Sequence, residues 1–174
     1  MRLFLLLLPA LTLISSFAQE PNNLGTAPAT CYASLTVEVI STTTCDAAIA
    51  VADELDRARM ASAMAIRHAR SSQFARAEEL IEVALASQPN DPVVLINLGS
   101  MRINQERFDE AVDAYLHAQD ILETSGAAPE PVLFLNRSLA LRALGRYADA
   151  KRDYDHFVWL RDSLRGDSSL YIDE

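Results

Sequence analysis

One lysine, two cysteines, five glycines and a 7% aromatic content are all that these types contribute to 174 residues. Each shortage excludes something. With little glycine and proline beside 50% hydrophobic and 22% charged residues, the chain is neither collagen-like nor low-complexity and reads as one ordinary folded domain. Two cysteines cannot staple a disulfide-dense miniprotein. Basic residues number 15 against 24 acidic ones, for a net charge of −9, and apart from Lys151 the positive charge is scattered as single arginines and Arg2. Phosphate recognition needs a concentrated cationic surface, so no nucleic-acid partner is expected. No apolar run reaches the roughly 20 residues of a membrane span.

What is present begins with an export pattern. Arg2 precedes an apolar stretch from Leu3 to Ile14, and Ser16-Phe17-Ala18 offers small residues where a signal peptidase reads, so residues 1–18 are expected to be a signal peptide cleaved before Gln19. An uncleaved anchor is the alternative. In an oxidising compartment Cys31 and Cys45 are expected to form a disulfide, closing a loop worth roughly 3 kcal/mol in the chain-entropy model. Two thiols without nearby histidines make a poor metal site, and their separation is too wide for a redox pair. Residues 19–43 read as a flexible or irregular segment. Within it, 34–40 alternates like a strand that has no partner, with a short helix as the other reading.

From Thr44 onward the pattern is helical. A capping helix is expected over 44–57, its face running through Ile49, Ala52 and Leu55, followed by three pairs of amphipathic helices and a tail at 166–174. The breaks have chemical causes: Asp91 can cap a helix that starts at Pro92, and Gly145 can take the left-handed conformation that ends one. The pairs also repeat. Phe74, Phe108 and Tyr147 open second helices; Ala77, Ala111 and Ala150 come three residues later, then Ile81, Tyr115 and Tyr154. Upstream, Met64-Ala65, Leu98-Gly99 and Arg137-Ser138 correspond. The spacing is 34 residues and then 39, the extra length falling between Ser125 and Pro131.

This pattern resembles the tetratricopeptide repeat, with units at 58–91, 92–125 and 131–164 inside an array spanning 58–165. The resemblance implies an all-α fold, a right-handed superhelical array of antiparallel helix pairs, in which small residues let paired helices approach within about 8 to 10 Å. Phe74, Phe108 and Tyr147 are expected to plug the turn ends, and Ile81, Leu85, Leu95, Leu98, Tyr115 and Leu116 to fill the core. First helices of such arrays line a concave groove. Here the groove would hold Arg59, Ser62, Ala63, Ile66 and Arg70, then Val93, Ile96, Asn97, Ser100 and Asn104, then Val132, Leu135, Asn136, Leu139, Arg142 and Ala143. Asn97 and Asn136 hold the same place in successive units and could bond an extended peptide, or bond within the array or to water. Family members that grip the carboxylate tails of heat-shock chaperones carry a lysine and an asparagine in the first unit and a lysine and an arginine in the third, where this chain has Ser62, Ile66, Val132 and Asn136; only the second-unit Asn97 matches, so that activity is not implied.

The array departs from the repeat at its end, where Phe157 replaces the small residue seen as Ala84 and Ala118, followed by Trp159, Leu160 and Leu164. Either Leu170-Tyr171-Ile172 folds back over these groups or they associate two copies. No enzyme is expected, nor a cofactor or metal: His117 and His156 fall at one repeat position in different units, and no phosphate loop, nucleophile elbow or paired-histidine motif occurs. Arg165-Gly166-Asp167 reads as a helix end rather than an adhesion signal, and Asn136-Arg137-Ser138 as helix rather than a glycosylation acceptor. The expected role is a protein-binding adaptor or scaffold, exported to a bacterial periplasm or through another secretory route. The alternatives are a self-associating structural protein and an accessory subunit of an envelope complex.

Overall fold

The structure, a computed structural model, describes residues 42–165. Residues 1–18, the segment at 34–40, Cys31 and the tail at 166–174 lie outside the described residues. Seven helices follow in order: α1 Thr42–Val51, α2 Glu54–Arg70, α3 Phe74–Ser87, α4 Pro92–Asn104, α5 Phe108–Ser125, α6 Pro131–Ala143 and α7 Tyr147–Arg165. No strand occurs among the described residues. Helices α2 and α3, α4 and α5, and α6 and α7 pack as pairs; α4 also packs on α2, α6 on α5, and α1 covers α2.

Local chemistry explains where the helices begin. Asp91 accepts from the amides of Val93 at 2.8 Å and Val94 at 3.1 Å, and Pro92 at the first helical position forfeits no bond. The capping helix differs from the expected 44–57. It stops at Val51, because Asp53 turns extended and takes the Asp56 amide at 2.9 Å, starting α2 at Glu54. Ile49 and Ala52 are buried, but Leu55 falls on the first turn of α2 beyond that break and is exposed.

The turns inside the three pairs share one backbone solution. Ser72 (φ 58°), Glu106 (φ 60°) and Gly145 (φ 74°) each take the left-handed conformation between paired helices, and only the third is the residue type that does so without strain.

Small residues hold the pairs close. Ala65, Ala77, Gly99, Ala111, Ser138 and Ala150 are all buried. Gly99 does more than let α4 approach α5: an added Cβ would lie 2.6 Å from the Tyr115 ring. Two buried clusters, one from α1 to α4 and one from α4 to α7, share that middle helix and meet through Leu85 and Leu98. The expected aromatic plugs need correction. Phe108 is half-buried against the second core cluster, whereas Phe74 and Tyr147, which likewise open their helices, are exposed. Leu116 is exposed because Tyr115, one residue before it, takes the inward face.

Candidate functional site

Alternate helices present one continuous cleft. Ile66 and Arg70 from α2, Ile96, Asn97, Ser100, Ile103 and Asn104 from α4, and Val132, Asn136 and Leu139 from α6 line a volume of about 350 Å³. Residues expected at the groove from all three units are thus brought together. Ile103 was missed, although its i+7 spacing from Ile96 places both on one helix face.

Polar side chains knit the floor. Asn97 donates to Ser62 Oγ at 2.9 Å, and Asn136 donates to Ser100 Oγ at 3.1 Å, linking α4 to α2 and α6 to α4. Ser100 Oγ lies 3.1 Å from the Tyr115 hydroxyl, and Asn104 donates to the Ser100 carbonyl at 2.8 Å. Both asparagines therefore spend an N–H on the array, while their carbonyl oxygens accept none of these bonds. Burial raises the Tyr115 hydroxyl to about 12, despite hydrogen bonds from Ser100 and Asn136 that favour its ionised form.

Other expected groove residues are elsewhere. Ser62 is fully buried and donates to the Arg59 carbonyl. Arg59 reaches the cap of α4, its Nη2 and Nε donating to Asp91 Oδ2 at 2.9 and 3.2 Å, so its charge is committed within the array. Arg142 belongs to a separate cleft between α6 and α7. Exposed Arg70 is the cleft's own cation.

A second opening, about 510 Å³, lies between α5, α6 and α7, with Ala127 and Pro129 of the long connection on its wall. Its base is a buried ion pair that sequence reasoning passed over. Arg137 Nε and Nη2 donate to the two Asp153 oxygens at 2.6 and 2.8 Å, Nη1 donates to Gln119 at 2.6 Å, and the guanidinium lies 5.5 Å from the Phe134 ring centre. The signal was available in the repeat. Positions matching Arg137 and Asp153 hold Met64 with Leu80 and Leu98 with Ala114, so the third unit has a charged pair where the other two have an apolar one.

The expected association surface is only partly a surface. Trp159 and Leu164 are exposed. Leu160 is buried in the α4 to α7 core, because it lies i+7 from Asp153 on the inward face, and so is not a surface residue. Phe157 packs partly into the same core, with the Arg161 guanidinium 5.7 Å from its ring centre. His117 and His156 are exposed, and His156 sits 4.3 Å from Phe134 and 5.7 Å from Trp159, centre to centre. His68 is buried with Nδ1 2.5 Å from Gln73 Oε1. Cys45 is fully buried in α1; its expected partner lies outside the described residues. No described helix is long and apolar enough to cross a membrane.

The described residues define an all-helical protein of stacked pairs, similar to the tetratricopeptide repeat in helix order and in the burial of its small residues. No family model and no curated protein matches the chain. A solved structure of a MamA mutant is similar at 18% identity and a TM-score of 0.48, over 80% of this chain and 98% of that one.

Proposed function

We propose that the chain is an exported adaptor or scaffold that binds a segment of another protein in the cleft of α2, α4 and α6, the concave side of a right-handed superhelical array. One observation carries the reading: a cleft of about 350 Å³ combines apolar walls from Ile66, Ile96, Val132 and Leu139 with amide carbonyls of Asn97 and Asn136 that accept no hydrogen bond among the described residues. Such oxygens can accept from the backbone of an extended peptide, and the apolar walls can take its side chains. Arg70 favours an acidic group at one end of that segment. Export, cleavage before Gln19, a Cys31–Cys45 disulfide and a periplasmic location belong to the same proposal. No catalytic step, cofactor, metal or nucleic acid is part of it.

A photo-reactive amino acid at Val132 tests the site in extracts of the source compartment. It should capture a discrete protein that the same label at Trp159 does not. Capture from Trp159 alone would favour the second reading, association through the exposed Trp159 and Leu164.

A further inference from the structure

The repeat aligns Ile81, Tyr115 and Tyr154, yet their burial differs sharply. The first two are 1% and 0% exposed, and Tyr154 is 49% exposed. The cause is stacking: α4 packs on the first pair and α6 on the second, while no described helix packs in the equivalent place on α6 and α7. A cleft of about 380 Å³ stands there instead, with Leu135, Leu139, Tyr147 and Tyr154 as apolar lining and Arg142 and Lys151 at its rim. Arg142 makes no ion pair among the described residues; Lys151 meets only Asp155, at 2.6 Å.

The residues that follow Arg165 complement that cleft. Leu170-Tyr171-Ile172 is a compact apolar run flanked by Asp167 on one side and Asp173-Glu174 on the other. Reach and polarity agree. At a helical rise of about 1.5 Å per residue, Tyr154 lies roughly 16 Å and Lys151 roughly 21 Å back along α7 from Arg165. Extended chain at about 3.3 Å per residue brings Tyr171 back roughly 20 Å and Glu174 roughly 30 Å. A tail returning along α7 would set its apolar run against Tyr154 and its acidic pair beside Lys151 and Arg142. Tethering also gives it an effective concentration near millimolar, an advantage no free competitor shares.

We propose that residues 166–174 dock in the α6–α7 cleft, which no described helix covers. The inference does not rest on the function proposed for the α2–α4–α6 cleft. A photo-reactive residue replacing Tyr171 in the full chain should, on irradiation at low and high protein concentration alike, form an adduct within one chain to a peptide between residues 135 and 154. In the Leu170→Asp/Tyr171→Asp variant, amides of 147–154 should exchange at least tenfold faster while those of α2 and α3 are unchanged. Adducts only between chains, which would make a second copy the occupant, or no adduct to 135–154, or unaltered exchange, would each overturn the proposal.

Discussion

Tyr115 shows how one side chain can serve both packing and the cleft floor. Its ring rests on Gly99, three ring atoms lying within 2.9 Å of where a Cβ would be, and its hydroxyl is held at Ser100. Two effects of Gly99→Ala oppose each other: alanine gains about 1 kcal/mol of helix propensity, and overpacking costs about 1 to 3 kcal/mol. A ring that is fully buried and tethered at its far end cannot yield cheaply, so overpacking should win. Chemical denaturation should show a net loss of up to about 2 kcal/mol. The same burial makes a pH prediction. A hydroxyl whose folded value is raised keeps its proton, so its contribution to stability is intact below the usual 10 and is lost as pH climbs from there through about 12. Ultraviolet titration should find a tyrosine that ionises well above pH 10 and is lost in Tyr115→Phe, and the same variant should flatten the alkaline loss.

At the scale of elements, side chains decide how neighbouring helices are tied. Arg137 and Asp153 join α6 to α7 with both charges buried, and Gln119 brings in α5. Removing one partner strands the other, a cost of about 3 to 5 kcal/mol. Asp153→Ala should therefore lower the thermal midpoint far more than Lys151→Ala, whose exposed pair is worth under about 1 kcal/mol. Reverting both to the apolar residues of the other units should recover most of the loss. Glu78 ties α3 to the last turn of α4 through Arg102 and to the α4–α5 turn through Arg107. Burial alone would raise its carboxyl, but Arg102, Gln105 and Arg107 together hold it below the ordinary 4.5. A lowered folded value stabilises above 4.5, and that contribution disappears as pH falls below it. Stability measured from pH 6 downward should drop less steeply in Glu78→Gln than in the parent.

These elements also show what the sequence made legible. The repeated small residues reported helix pairing because they respond to a strict local demand, contact between two axes. Cap positions at Asp91 and Gly145 were equally local. Asp53 was overlooked because an alanine-rich stretch on either side keeps helical periodicity across the break. Leu160 and Arg59 were misplaced for a tertiary reason: the first turns inward toward α5 and α6, and the second finds Asp91 from the next unit. Neither partner is near in sequence. The Arg137 and Asp153 pair was visible as a joint departure from apolar positions, but only if the two repeat columns are compared together.

On the scale of the whole molecule, stacking creates the surfaces on which function is proposed. A side-chain amide of α4 donates to α2 and one of α6 donates to α4, so the walls of the α2–α4–α6 cleft are positioned by the same contacts that build the array. Val132 stands on that wall and is exposed, so an acidic substitution there alters the cleft without emptying the core. Tyr147 is exposed in the other cleft and serves as its counterpart. Calorimetric titration of the partner captured at Val132 against the parent, Val132→Asp and Tyr147→Asp compares the two surfaces directly. The expected result is at least a tenfold weaker affinity for Val132→Asp, about 1.4 kcal/mol, with Tyr147→Asp binding like the parent. Equal affinity of Val132→Asp and the parent would contradict binding in the α2–α4–α6 cleft.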